Sequence, residues 1–388
     1  MNWFLWAGIG FSVFILVELI RLNIMLYEEL KVERHLPAWV TWDRAQPPVS
    51  VIIPAKDEEQ NIEPAVRSVL ASDYDRLQVI LVNDRSLDST GPIMARLARE
   101  DPRIQVLSIR ELPEDWTGKT HAMYRAAERA DGDILLFTDA DAVFDRQVLS
   151  RAARFFVDEH LDMLCLLPGF TERRFGEKVV YPHLALGFSY FHPLSKVNDP
   201  SRTTAMASGC FLMISKRAYL QLGTWERLRN EVTEDVALSR VVKAARMKFR
   251  LLRGSELVRT QPFDGVAAVC RFWRRTFYGG LQKSIPKILR LAVNYTAIAL
   301  LSALVVWSGA LWFTGPPSLA VSLLFTLSSL AMAAVIVPFC FLLRQDGVNW
   351  IHGLTTPIGI IISAWVAWST LIVVITNRGI RWRGKVYR

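Results

Sequence analysis

Hydrophobic and polar positions follow two regimes along the chain. In the first, short runs of β-branched and aliphatic residues, Val49–Ala55, Gln78–Val82, Ile104–Ile109 and Asp133–Thr138, alternate with stretches of helical spacing, Glu59–Leu70, Ile93–Arg99 and Lys119–Arg129. The runs have the pattern of strands buried on both faces. Strand alternating with helix predicts an α/β fold on a mostly parallel sheet with helices on both faces. In such sheets ligands bind at the carboxyl ends of the strands.

In the second regime charge disappears. No Asp, Glu, Lys or Arg occurs from Leu291 to Leu343, or again from Gly347 to Asn377. A membrane-spanning helix needs about 20 apolar residues. The first run therefore holds two spans, Leu291–Phe313 and Leu319–Leu343, broken at Gly315-Pro316-Pro317, and the second holds one near Leu354–Ile375. Trp3–Ile20 is apolar except for Glu18 and lacks a basic leader and a small-residue cleavage site, so it reads as an uncleaved anchor. The segments expected are an anchor over 1–26, an interfacial linker over 27–48, the α/β domain over 49–262, a basic amphipathic segment over 263–290, a membrane region over 291–376 and a basic tail over 377–388.

Composition agrees: 388 residues with 51% hydrophobic side chains, 21% charged ones and a mean hydropathy of +0.22 exclude an ordinary soluble or disordered chain. The net charge of +9 is localised. Arg271, Arg274, Arg275, Lys283, Lys287 and Arg290 lie in a stretch without an acid, as do Arg378, Arg381, Arg383, Lys385 and Arg388 in the tail. Beside membrane spans, such cations suit anionic phospholipid headgroups or a diphosphate rather than nucleic acid. Arg21, Lys31, Arg34 and Arg44 follow the first span, which places the central domain in the cytoplasm of a multi-pass protein of the cell (inner) membrane. Three further crossings would leave the basic tail outside, so either one C-terminal segment is re-entrant or interfacial, with Pro338 and Pro357 as causes, or the charge rule fails here. Cys165, Cys210, Cys270 and Cys340 form no C-x-x-C pair, and no H-E-x-x-H occurs, so neither a disulfide framework nor a structural zinc is expected.

The strand ends carry the candidate chemistry. Pro54-Ala55-Lys56-Asp57-Glu58-Glu59 follows the first strand, Asn83-Asp84-Arg85-Ser86 the second, and Asp139-Ala140-Asp141 the fourth. Neither a P-loop nor a G-x-G-x-x-G glycine cradle is present. A nucleotide here would be held by carboxylates and a metal. Asp139 and Asp141, two apart at a strand end, can reach one divalent cation through oxygen. Lys119, after Gly118 at a helix start, is placed to meet a phosphate or the base, or is a solvated first-turn lysine. Asp235 opens an amphipathic helix, as a first-turn acid or as a base. Val179–Leu194 is uncharged and aromatic, fitting an interfacial segment that admits a lipid or a core helix.

VIIPAKDEE, VNDRSLDST, WTGK, FTDAD and TEDVALSRVVKAA, in this order, resemble the family 2 glycosyltransferases with the GT-A fold over roughly residues 49–280. WTGK, the VNDP segment at 197–200 and the GIRWRGKVY tail resemble a membrane subgroup that includes hopanoid-associated, carotenoid-acid and ceramide-type enzymes. The resemblance implies that Pro54 and Glu58 line the nucleoside pocket, that Asp84 accepts from the nucleobase imide, and that Asp139 binds the nucleotide-sugar. Asp139 and Asp141 would hold Mg²⁺ or Mn²⁺, Lys119 would meet the diphosphate, and Asp235 beside Glu234 would be the general base. Arg271-Phe272-Trp273-Arg274-Arg275 partly matches the family's Q/R-x-x-R-W, which makes Arg271 and Arg274 phosphate ligands, although an interfacial basic helix has the same composition. Asp57 and Asn83 depart from the family's usual residues.

The implied activity is an inverting transfer of a hexose from a UDP-sugar to a membrane lipid hydroxyl. A polyprenyl phosphate acceptor is the second reading, and a catalytically silent nucleotide-sugar binder the third.

Overall fold

The computed structural model describes residues 2–30, 35–37, 42–43, 45–170, 174–261, 263–316, 318–345, 348–382 and 385–387. Lys31, Arg34, Arg44, Pro317, Gly347, Arg383 and Arg388 lie outside the described residues. In chain order the helices are α1 (Asn2–Leu30), α2 (Ile62–Leu70), α3 (Thr90–Glu100), α4 (Gly118–Ala127), α5 (Val148–Asp158), α6 (Phe175–Phe191) and α7 (Leu194–Asn198). They continue with α8 (Lys216–Gln221), α9 (Glu234–Ala244), α10 (Gly265–Gly280), α11 (Ile285–Thr314), α12 (Leu319–Gln345) and α13 (Thr356–Ile375). The chain forms two compact units. An α/β unit holds Glu33–Glu172 and His192–Pro262, and a helical unit holds Met1–Val32, Arg173–Phe191 and Phe263–Arg388.

The α/β unit is built on strands β1 (Val49–Ala55), β2 (Leu77–Asp84), β3 (Ile104–Ile109), β4 (Ile134–Phe137), β5 (Ala142–Phe144), β6 (Met163–Phe170), β7 (Leu212–Ser215) and β8 (Phe249–Thr260). Among the described residues they form one eight-stranded sheet in the order β3-β2-β1-β4-β7-β6-β8-β5. The four strands expected from the sequence lie side by side and parallel. Alternate residues of these strands enter opposite cores. Val51, Ile53 and Leu81 pack with Val66 of α2, Met94 of α3 and Ala152 of α5, whereas Ile52, Ile80 and Val82 pack with Met123 of α4, Tyr219 of α8 and Leu238 of α9. This two-sided burial explains why the strands read as unbroken apolar runs.

Register brings the strand ends together. Ile52 stands opposite both Ile80 and Phe137, so β1, β2 and β4 end along one edge. The sequence pattern did not announce β7, which runs antiparallel between β4 and β6 and pairs Leu212 with Phe137. Its first residues therefore lie at the carboxyl end of β4. There the Thr138 hydroxyl donates to the Cys210 carbonyl at 2.7 Å.

In the helical unit, among the described residues, four segments are long and apolar enough to cross a membrane: Trp3–Ile20, Ile285–Thr314, Leu319–Arg344 and Trp350–Ile375. Pro338 sits inside α12 without ending it, and Pro357 lies in the first turn of α13, where its missing N–H costs no hydrogen bond. Neither proline interrupts a span in the way a re-entrant loop requires. Ile15 and Leu19 of α1 pack with Leu301 of α11 and Met332 of α12, and the Ser308 and Ser328 hydroxyls meet at 3.3 Å between α11 and α12. Small residues and short polar contacts are what bring helices together where lipid offers no hydrophobic drive.

Helix α6, most of the uncharged aromatic segment noted above, belongs to this helical unit. A Cβ at Gly359 of α13 would collide with the Val179 carbonyl and the His183 ring. His183 stacks on Phe339 at 4.1 Å, and its carbonyl accepts from the Tyr295 hydroxyl at 2.7 Å. The compact units thus do not follow the linear order of segments, because the chain leaves the sheet for the helices at 173 and returns at 192.

Phe137 is 2% exposed and packs edge-on against Trp225 at 5.1 Å, one residue before the loop that carries Asp139. Phe137→Ala should cost about 3–5 kcal/mol through lost burial and the cavity left behind, measured as the shift in denaturant midpoint of the full chain in detergent. A loss below about 1 kcal/mol would show that this core is not closely packed.

Candidate active site

The loops after β1 and β2 are laced to each other. Glu58 N donates to Thr90 Oγ1 at 2.8 Å, Leu87 N to Asp57 Oδ1 at 2.8 Å, and Glu59 N to Asp88 Oδ2 at 3.0 Å. Each loop turns through a left-handed residue, Asp57 and Arg85, both with φ of 55°. The Asx and Ser residues of NDRSLDST therefore do turn chemistry, and that turn holds Glu58 and Asp84 at neighbouring strand ends.

Asp84 is 5% exposed, and its two oxygens accept from Arg85 Nε and Nη2 at 2.7 and 3.1 Å. The WTGK segment closes over this pair. Trp116 is buried edge-on to His121, Thr117 N donates to the Arg229 carbonyl at 2.7 Å, and the Thr117 hydroxyl caps α4 by accepting from Thr120 N at 3.2 Å. Between them Gly118 touches the acid: an added Cβ would run into Asp84 Oδ2 and lie 3.1 Å from Arg85 Nη2. Glycine stands there because no side chain fits.

One residue on, Lys119 points its ammonium between two carboxylates, at 2.5 Å from both Asp139 Oδ1 and Glu234 Oε1. Burial works against that charge, but Asp139, Glu234 and Asp235 outweigh it and hold the lysine protonated well above its usual range. Asp141 moves the other way. Burial, then the charges of Asp139 and Glu58, push it up to about 7. Burial and the adjacent Glu234 likewise push Asp235 to about 7, with Lys119 opposing. Asp235 Oδ2 accepts from Gly209 N at 2.9 Å, and Oδ1 from Val236 N at 2.8 Å. The base candidate is thus aimed by backbone rather than by another side chain.

Gly209 and Cys210, just before β7, complete the surround. A Cβ on Gly209 would lie 2.7 Å from Lys119 Nζ and 3.1 Å from Asp139 Oδ2. The Cys210 thiol is 3.6 Å from Asp139 Oδ2, and burial followed by Asp139 and Asp141 raises its pKa, so it stays a thiol and is not a nucleophile.

Glu58, Lys119, Asp139, Asp141, Glu234 and Asp235 therefore act on one another, with Asp84 one residue's contact away through Gly118. Pro54 sits within β1 opposite Val82. Arg271 and Arg274 lie on α10 of the helical unit and are not part of this cluster within the α/β unit. Sequence reasoning placed Gly209-Cys210 beside the acceptor pocket, with Cys210 structural, and missed the pairing of Arg85 with Asp84. An arginine in a turn position that suits glycine was the one available signal for that pairing, whereas the contact of Gly209 with Lys119 and Asp139 depends on the antiparallel strand.

Chemically, Asp139 and Asp141 offer hard oxygen donors that repel each other, which is the donor set a divalent cation relieves. Among the described residues no three His, Cys, Asp or Glu side chains gather to enclose an ion. The pair fits a cation that keeps positions for phosphate oxygens.

Residues 50–223 match the family model described as glycosyl transferase family 2. The chain is 34% identical over 111 residues to a probable glycosyltransferase, YdaM, of Bacillus subtilis (strain 168), covering 28% of this chain and 26% of that protein. It is 23% identical over 260 residues to the 4,4'-diaponeurosporenoate glycosyltransferase of Staphylococcus haemolyticus (strain JCSC1435), covering 63% and 65%. It is 25% identical over 192 residues to the poly-beta-1,6-N-acetyl-D-glucosamine synthase of Staphylococcus aureus (strain COL), covering 49% and 44%. The chain thus spans less than two thirds of each of these relatives. Among solved structures, the mannosyltransferase PcManGT from Pyrobaculum calidifontis, in complex with GDP-Man and Mn²⁺, superposes with a TM-score of 0.52 at 17% identity, covering 96% of this chain and 99% of that one. That likeness shows the GT-A fold.

Gly118→Ala should force Asp84 or the WTGK backbone aside. The expected outcome is a loss of about 1–3 kcal/mol in stability, the range for overpacking a closed site, together with weaker nucleoside diphosphate binding by calorimetry. Wild-type values for both would show that the loop has room that the geometry denies.

Proposed function

We propose that this chain, which carries a family 2 glycosyl transferase domain with the GT-A fold, moves a hexose from a UDP-sugar to the hydroxyl of a membrane lipid with inversion at the anomeric carbon. The observation that carries the reading is Lys119, which ties the Asp139 strand end to the Glu234-Asp235 helix start. Leaving-group chemistry and base chemistry thereby fall within one side chain's reach.

In this reading Asp235 takes the proton of the acceptor hydroxyl as its oxygen forms the new bond to the anomeric carbon. The bond from that carbon to the diphosphate oxygen breaks, and the nucleoside diphosphate leaves with the electron pair. A base poised near pH 7 suits this task, and the raised pKa of Asp235 supports the assignment. Glu234 orients Lys119, and Lys119 meets the departing diphosphate. Asp139 and Asp141 would hold Mg²⁺ or Mn²⁺, which when bound supplies charge neutralisation at that leaving group. The Mn²⁺ of the mannosyltransferase complex is compatible with this. Pro54 and Glu58 would line the nucleoside pocket, Asp84 would accept from the base, and Arg271 and Arg274 would serve phosphate or headgroups.

Four segments long enough to cross a membrane support an acceptor that stays in the bilayer, and the 4,4'-diaponeurosporenoate glycosyltransferase among the relatives is compatible with one. The cations that follow the first span favour an α/β unit on the cytoplasmic side, within an inner-membrane, multi-pass arrangement. The acid-free stretch of α10 and early α11 suits anionic phospholipid headgroups.

Two measurements test this. Asp141→Ala should abolish metal-dependent UDP-sugar binding and raise the barrier by about 3 kcal/mol or more, with the protein still folded; full transfer in EDTA would sink the metal assignment. Asp235→Asn removes basicity and little volume, so single-turnover transfer to membrane lipid should fall roughly 10²–10⁴-fold while donor affinity holds. Near wild-type turnover would point instead to an acceptor that is already an anion, such as a polyprenyl phosphate.

A further inference from the structure

Lys119 answers the acid cluster with the protein's own cation, and it does so on the carboxylate that a metal ion would need. Its ammonium lies 2.5 Å from both Asp139 Oδ1 and Glu234 Oε1. The Asp139 side chain is 31% exposed, whereas those of Lys119 and Glu234 are 20% and 8% exposed. Of the two acids that hold the lysine, Asp139 is thus the one that an ion from solution can reach. Gly209 makes this seat possible, since a Cβ there would lie 2.7 Å from Lys119 Nζ.

Two cations do not share one carboxylate without cost. Lys119 uses two of its three N–H donors on Asp139 and Glu234. A divalent ion on Asp139 would face that ammonium across a single acid, and like charges so close repel strongly in a half-buried site. The lysine stem is long and flexible. It can let go of Asp139 and keep Glu234, provided that a new anion accepts the donor it withdraws. A diphosphate brings both that anion and oxygen ligands for the ion.

We propose that Lys119 is a built-in counter-cation that shuts Asp139 to a lone divalent ion and yields it only when a diphosphate arrives to take the ammonium, so that metal and diphosphate bind as one unit. The inference rests on the metal role proposed for Asp139 and Asp141. By linkage, the diphosphate must strengthen metal binding by the same factor as the metal strengthens diphosphate binding. Departure of the diphosphate returns the ammonium to Asp139 and loosens the metal with it.

The test is Mn²⁺ binding to the full chain in detergent, read by electron paramagnetic resonance with neither sugar donor nor acceptor present. Wild-type protein should bind Mn²⁺ weakly alone and about 10–100-fold more tightly when saturated with UDP or GDP, within the usual span of coupling between two ligands. Lys119→Met should tighten the binding of Mn²⁺ alone by about tenfold or more and shrink the gain from nucleotide by a similar factor. Lys119→Arg, which keeps the charge, should leave Mn²⁺ alone near its wild-type affinity. Adding Asp139→Asn to Lys119→Met should abolish the tightening, which ties the effect to Asp139 rather than to the general field of the cluster. Unchanged or weaker binding of Mn²⁺ alone in Lys119→Met would overturn the proposal, and so would survival of the tightening in the double variant. If Lys119→Met does not fold, the wild-type protein still tests the idea: Mn²⁺ bound as tightly without nucleotide as with it removes the Lys119 role and leaves the metal assignment standing. Absence of Mn²⁺ binding from every form, with nucleotide or without, would remove that assignment and the inference with it.

Discussion

The ammonium of Lys119, held between Asp139 and Glu234, is the interaction on which the α/β unit's site depends. Glu58, Asp139, Asp141, Glu234 and Asp235 crowd a small volume, and so many like charges cannot all stay ionised in a partly buried place. The structure answers with one strongly held cation and two acids, Asp141 and Asp235, pushed toward neutrality. A site short of positive charge is primed for a cation and for a proton. Those are the two things that the proposed transfer, with its diphosphate leaving group and hydroxyl nucleophile, calls for.

Close approach is the second constraint. Lys119 can reach both acids because its neighbours have no side chains in the way: Gly118 presses on Asp84, and Gly209 on Lys119 and Asp139. Backbone N–H groups then do the aiming, from Gly209 and Val236 onto Asp235. Backbone donors cannot swing between rotamers, so a carboxylate held this way keeps its direction.

The helical unit follows a different logic. Its faces meet through small residues and buried hydroxyls, as at Gly359 on α6 and Ser308 on Ser328, and its outward side chains, Val306, Phe313, Val337 and Trp365 among them, are apolar and exposed. That surface suits lipid. The aromatic stretch that begins at Val179 joins this unit because it has no charge to leave in water and the right spacing to pack as a helix. Its place in the chain between strands of the sheet does not decide its partners.

The strands β1 to β4, the helices between them, the four long apolar segments and the carboxylates at the strand ends were legible in the sequence, because each depends on periodicity or on residues next to one another. Composition alone separated the membrane part from the α/β part. Tertiary structure decided what depends on residues far apart: that β7 inserts antiparallel and carries Gly209 and Cys210 to Asp139, that α6 leaves the sheet for the helices, and that Lys119 bridges residues twenty and more than a hundred positions away. It also decided the state of Arg85, whose turn conformation and grip on Asp84 arise only when the WTGK segment is packed behind them. Local propensity acts over a few residues and leaves its mark in the pattern, whereas the electrostatics of a buried cluster exist only once the sheet has brought its members within a few ångströms.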